Sequence, residues 1–255
     1  MTLVHIDHVS EIVKVSLPLN LILPDDYARD GEPLERCKVL YLLHGLSDDA
    51  SAWQRYTNIE VLAKEKNLVV VMPSAGRSFY ADMDNGQKYF TYLTEELPAW
   101  LAATFRISQS REQTLIAGLS MGGYGAMKAA FLRPDLYSAA CSLSGVLALN
   151  MLLAPAGKVK DMEFIRELQL LFGGLDKIPG SIHDPLTWMK NAVEAKLDLP
   201  ELYAYSGQDD LLPLNRWFAK TAGEMGIKVN YTEHEGGHNW WFWNEHIKLW
   251  LDEVL

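Results

Sequence analysis

Cysteine is almost missing from this chain: Cys37 and Cys141 are the only two in 255 residues. Two are too few for a disulfide framework, and each lies beside or within an apolar run, so both read as buried reduced thiols. Basic residues are not in excess either. Lys and Arg total 23 against 33 Asp and Glu, a net charge of −10, and the cations are scattered. That excludes nucleic acid or an anionic membrane surface as the main partner and favours neutral substrates. No run is long and apolar enough to span a bilayer. The first twenty residues are broken by His5, Asp7, His8, Glu11 and Lys14. They lack the basic start and apolar centre of a signal peptide, which predicts a cytoplasmic protein. Internal repeats, low-complexity stretches and Pro/Gly/Ser linkers are also absent.

What is present is core material, with 49% hydrophobic residues, enough for a single α/β domain over residues 1–255. Short β-like runs alternate with amphipathic ones. Val9 to Leu23 reads as one or two opening strands, ended by Pro24-Asp25-Asp26. Further strands are expected at 39–43, 68–72, 115–117, 139–143, 202–206 and 229–232, several of them apolar on both faces as in a buried parallel sheet. Helical patterns fall at 59–66, 95–105, 121–133, 216–225 and 241–255. The alternation predicts a doubly wound, mostly parallel sheet flanked by helices, with ligands at the carboxyl ends of the strands. One connection is far longer than the two to six residues usual between such elements. Residues 146–198, with helical patterns at 162–172 and 186–196, are expected to form a small cap-like insertion.

Residues 118–122 read Gly-Leu-Ser-Met-Gly, the G-x-S-x-G of a nucleophile elbow. Composition alone supplies this pattern roughly once in ten chains of such length, so the flanks must carry the claim. The β-leaning run Thr114 to Ala117 precedes it, and an alanine-rich helical stretch follows up to Pro134. Strand, sharp turn and helix is the context the motif requires. A serine hydroxyl needs a base to become a nucleophile, and the base needs an orienter. In this fold the chain order is Ser, acid, His. Ser206-Gly207-Gln208-Asp209-Asp210 follows one late strand and Gly236-Gly237-His238 follows the last. Ser120, Asp210 and His238 are therefore the catalytic candidates, with Asp209 the alternative acid. The oxyanion needs two backbone donors: the amide of Met121, directly after the nucleophile, and that of Leu46 in the His44-Gly45-Leu46 turn.

The segments Tyr41-Leu42-Leu43-His44-Gly45-Leu46, Ala117 to Ala126, Ser206 to Asp210 and Gly237-His238-Asn239-Trp240 resemble the putative-esterase (esterase D-like) family of α/β-hydrolases. The similarity is greatest to bacterial tributyrin esterases and runs from about Val9 to the C-terminus. The resemblance implies an α/β-hydrolase fold and a serine carboxylesterase acting on short-chain acyl esters through an acyl-serine intermediate. It assigns Ser120, Asp210 and His238 as the triad and the Leu46 and Met121 amides as the oxyanion hole. No metal and no organic cofactor is implied, and the partner is a small-molecule ester. A homo-oligomer is compatible with the resemblance. Feruloyl or acetyl-xylan esterase is an alternative, as is S-formylglutathione hydrolase. The latter usually follows its His-Gly-Leu with Thr-Cys, where this chain has Ser47-Asp48. From a different class, a non-catalytic interaction protein could use the same scaffold.

His234-Glu235-Gly236-Gly237-His238 also matches H-E-x-x-H, the zinc-protease pattern. That chemistry needs a helix, and two adjacent glycines oppose one by roughly 2 kcal/mol. His44 is expected to order the oxyanion turn rather than act as a second base. Trp53, Tyr80, Phe172, Trp188, Trp240 and Trp243 are candidates for the substrate pocket, set against ordinary core packing for the terminal aromatics.

Overall fold

The computed structural model describes residues 1–24, 34–149, 151 and 162–255. Its frame is an eight-stranded sheet: Thr2–Val9 (β1), Ser16–Leu23 (β2), Lys38–Leu43 (β3), Leu68–Pro73 (β4), Thr114–Leu119 (β5), Ala139–Leu143 (β6), Glu201–Asp209 (β7) and Asn230–Gly237 (β8). The spatial order is β1-β2-β4-β3-β5-β6-β7-β8. The β1–β2 and β2–β4 pairings are antiparallel, and all others are parallel. This is the α/β-hydrolase architecture.

Period-two geometry divides the strand residues between two cores. Val39, Tyr41, Leu43, Val69 and Val71 enter one face, and Leu40, Leu42, Val70 and Met72 enter the other. The helices Ala52–Tyr56 (α1) and Ile59–Glu65 (α2) cover the second face together with Trp240–Val254 (α8). The first face is covered by a helix from Tyr89 to Phe105 (α3), Met121–Leu132 (α4), Met162–Phe172 (α5), Pro185–Ala195 (α6) and Leu212–Glu224 (α7). Both cysteines are buried within this frame.

The structure corrects three boundaries. The stretch 9–23, read as one or two opening strands, holds only β2 in full, and β1 lies almost wholly before it. As an edge strand with one neighbour, β1 keeps polar His5 and Asp7 among its apolar residues, which hides its signal. Helix α3 starts at Tyr89, ahead of the expected 95, and passes through a π-helical turn over Tyr92–Glu96. Pro98, which has no N–H to give the preceding turn, stands two residues past it. Strand β8 runs on through Glu233, His234 and Glu235, held by parallel pairing with β7 as far as Asp209↔Gly237. The H-E-x-x-H pattern is thus extended chain, and its two histidines do not share a helix face.

The described part of the 146–198 segment packs into the first-face core. Trp188 lies 5.1 Å from Tyr124 and 6.2 Å from Phe131, and Phe172 lies 6.1 Å from Phe79, between ring centroids. Asp184 caps α6 by accepting from the Leu186 amide. Residues 150 and 152–161 of the expected cap lie outside the described residues.

Candidate active site

Four strands end at the same edge of the sheet, and each passes directly into a loop that carries one candidate group. Ser120 follows β5 with φ 52° and ψ −114°, a left-handed conformation costly for a residue with a β-carbon. The surroundings hold it there. Its amide donates to Leu143 O at 2.9 Å, and its carbonyl accepts from the Tyr124 amide at 3.1 Å. The elbow can fold this tightly because its flanking glycines lack side chains. A β-carbon on Gly118 would stand 2.4 Å from the Gly122 backbone, and one on Gly122 would stand 2.4 Å from Leu43 O.

The Ser120 hydroxyl meets His238 Nε2 at 2.9 Å, and His238 Nδ1 meets Asp210 Oδ1 at 2.7 Å. A carboxylate only accepts, so the proton sits on Nδ1, and Nε2 is left to accept from the serine. The Asp210 side chain is 1% exposed and His238 is 39% exposed: the acid is sealed in while the imidazole faces the cleft. Asp210 Oδ1 also accepts from the Leu211 amide at 2.6 Å, which fixes the carboxylate rotamer. Asp209, the alternative acid, ends β7 and is exposed.

The loop after β3 is braced from several sides. His44 is buried, and its Nε2 accepts from the Ala75 amide at 2.9 Å. Nδ1 must then be the protonated nitrogen, donating to Gly45 O at 2.7 Å. Burial, the largest influence, lowers its pKa, so the imidazole is held neutral and serves as a backbone clamp. Trp53 donates to Leu43 O at 2.9 Å, Tyr80 to His44 O at 3.1 Å, and the Gly45 amide to Asp48 Oδ2 at 3.3 Å. Leu46 emerges from this clamp into the same cleft as Ser120. Across it, Met121 is the first residue of α4, so its amide has no acceptor within the helix and heads the positive end of the helix dipole.

The cleft of about 470 Å³ is lined by Gly45 to Asp48, Leu119, Ser120 and His238 to Trp240, with Trp243. Of the six pocket candidates, only Trp240 and Trp243 reach it. Trp53, Tyr80, Phe172 and Trp188 are buried away from it; the first two support the β3 loop from behind, Trp188 packs on Tyr124 and Phe131 of α4, and Phe172 packs on Phe79. Being large and apolar, all six gave the same sequence signal, which does not distinguish wall from foundation. Ser144 was missed altogether. It has φ 52° and is buried, and its hydroxyl accepts from Trp243 Nε1 at 3.1 Å. That bond fixes the indole standing edge-on to the His238 ring, 4.9 Å between centroids. No local motif marks such a partner.

Fold and site together define an α/β-hydrolase with a serine, a histidine and a carboxylate in line at the carboxyl edge of its sheet. The model of the family described as "Putative esterase" matches residues 10–248, and the chain belongs to that family. An acetyl esterase of Caldicellulosiruptor saccharolyticus is 32% identical over 268 residues, covering 100% of this chain and 99% of the relative. Among solved structures, the Staphylococcus aureus fluorophosphonate-binding serine hydrolase FphF superposes with a TM-score of 0.89 at 29% identity, covering 99% of this chain and 98% of that one. The S-formylglutathione hydrolase FrmB of the same organism gives 0.86 at 29% identity, covering 100% and 99%. The protein is a carboxylic ester hydrolase. Among the described residues, no helix is long and apolar enough to cross a membrane.

Proposed function

We propose that the chain is a serine carboxylesterase that hydrolyses short-chain acyl esters through an acyl-Ser120 intermediate. The observation that carries this reading is the unbroken hydrogen-bond line from the Ser120 hydroxyl through His238 to buried Asp210. Ser120 Oγ attacks the ester carbonyl while His238 Nε2 takes its proton. The tetrahedral oxyanion rests on the Leu46 and Met121 amides, one from each side of the elbow. His238 then returns the proton to the departing alcohol, leaving the acyl group on Ser120. A water enters, gives its proton to the same nitrogen, attacks the acyl carbon and releases the acid. Asp210 holds the tautomer and stabilises the imidazolium at both stages.

The small acyl group is supported by the cleft's modest volume, and by full-length similarity to an acetyl esterase. The similarity to an S-formylglutathione hydrolase offers a second reading. Against it stands Asp48, whose carboxylate lines the cleft and would repel a carboxylate-bearing thioester. The described part of the insertion over residues 146–198 serves as a flank of the site: Phe172 packs on Phe79, whose amide meets Met121 Sδ at 3.3 Å.

The test is Ser120→Ala on short nitrophenyl esters. Loss of ester hydrolysis by about 10³-fold or more with an unchanged fold is expected; near-wild-type turnover rejects the mechanism. Undiminished activity after exhaustive chelation separates it from metal-dependent hydrolysis.

A further inference from the structure

An aromatic ladder leads outward from the base. The His238 ring stands edge-on to Trp243 at 4.9 Å, and Trp243 stands edge-on to Trp240 at 5.2 Å. Trp240 lies at a shallow 33° to Tyr56, 5.1 Å between centroids, with Trp53 edge-on behind it at 5.3 Å. Tyr56 ends α1, is 49% exposed, and carries the Arg55 guanidinium 5.3 Å over its ring. The first three rungs line or border the cleft, whereas Tyr56 lies beyond its lining residues. Core packing accounts for Trp53 but not for a half-exposed tyrosine ring continuing the wall.

The direction of the ladder decides what it serves. His238 Nε2 must pass its proton to the leaving-group oxygen, so the alcohol half of the ester lies on the imidazole side of the tetrahedral carbon. The rings on that side therefore meet the alcohol and not the acyl group. We propose that Trp240 and Tyr56 form a leaving-group subsite that selects esters of ring-bearing alcohols, aryl or arylalkyl, over straight-chain ones, with Tyr56 as the specificity-determining residue. The two rings, inclined at 33° with centroids 5.1 Å apart, overlap in an offset stack and offer a stepped apolar shelf, which a planar ring covers more fully than an alkyl chain. Trp240 is wedged among Trp53, Trp243 and Tyr56, so little side-chain freedom is lost when a ligand settles on it.

This proposal rests on the esterase reading above, and the experiment separates the two. Benzyl acetate and butyl acetate share one acetyl-enzyme, so differences in kcat/KM between them arise on the alcohol side. Wild type should prefer the benzyl ester, and Tyr56→Ala should reduce that preference about three- to tenfold. Tyr56→Phe should retain it. Hydrolysis of butyl acetate and methyl phenylacetate should change little in either variant. An unchanged preference in Tyr56→Ala, an equal loss on both acetates, or a loss on methyl phenylacetate instead would overturn the assignment. If wild type hydrolyses none of these esters, the esterase reading fails and binding still tests the shelf. Benzyl alcohol should shift the Trp240 indole N–H resonance in wild type and not in Tyr56→Ala; no shift in wild type overturns the subsite.

Discussion

Adding one methyl group at Gly122 would strike the point where the two sides of the proposed oxyanion site meet. Its β-carbon would lie 2.4 Å from Leu43 O, 2.7 Å from Leu43 C and 2.7 Å from His44 O. Ordinary contact begins about 3.4 Å apart, so Gly122→Ala demands a separation of about 1 Å. All three neighbours are backbone atoms of β3 and of the loop leading to Leu46, and no side-chain rotation relieves the clash. The braces from His44, Trp53 and Tyr80 resist movement of that loop, so α4 must shift and carry the Met121 amide with it. Overpacking of this kind costs about 1–3 kcal/mol of stability. A catalytic misplacement of about 1 Å costs about 10²-fold in rate. We therefore expect kcat/KM for nitrophenyl acetate to fall about 10²-fold in Gly122→Ala, with slower fluorophosphonate labelling of Ser120 and a folded protein by circular dichroism. Gly223→Ala, in open space within α7, is the control: unchanged activity and a gain of up to about 1 kcal/mol in helix stability. A folded Gly122→Ala enzyme with wild-type kcat/KM would refute the claim that the elbow and the β3 loop are held apart by van der Waals contact at this glycine.

Two more outcomes follow from the same structure. Asp210→Asn should lower kcat by about 10⁴-fold by losing the tautomer lock on His238, whereas Asp209→Asn should stay within about twofold of wild type; steady-state kinetics distinguish them, and the reverse pattern would make Asp209 the acid. Lys128 is fully buried in α4, 3.3 Å from His183 Nδ1 and 4.9 Å over the Phe90 ring. Burial pushes its pKa down to about 7 from the ordinary 10.5, with Asp82 opposing. Between those values the unfolded chain binds more protons than the folded one, so this group makes stability rise with pH across that window. Lys128→Met should lose that rise and be more stable at pH 6 by about 1–4 kcal/mol; parallel curves of Tm against pH for the two proteins would contradict it.

The part of the site legible in sequence was the part carried by strand ends. Ser120, Asp210 and His238 each directly follow a strand end, the apolar runs that mark those strands stop three to six residues earlier, and parallel pairing of the strands brings their ends to one edge. The braces were not legible, because they come from residues distant in sequence whose own segments show no chemistry. Ser144 meets Trp243 only because β6 lies beside α8, and Tyr80 reaches His44 O from a loop 36 residues away. The four buried aromatics show the limit of composition, since Trp53 and Trp240 differ in role solely by which side of the β3 loop they occupy. The opening strand was hidden because an edge position relaxes the demand for apolar residues, and β8 outran its hydrophobic signal because its last residues are held by backbone pairing.

The central claim is that the acyl group passes through Ser120. Acid-quenching the enzyme during turnover of nitrophenyl acetate and measuring peptide masses addresses it directly. The account predicts a mass gain of one acetyl group on the peptide containing Gly118 to Gly122, located at Ser120, and none in Ser120→Ala. Steady turnover by the wild-type enzyme with the acetyl group on another residue, or with Ser120→Ala still turning over at the wild-type rate, would contradict it.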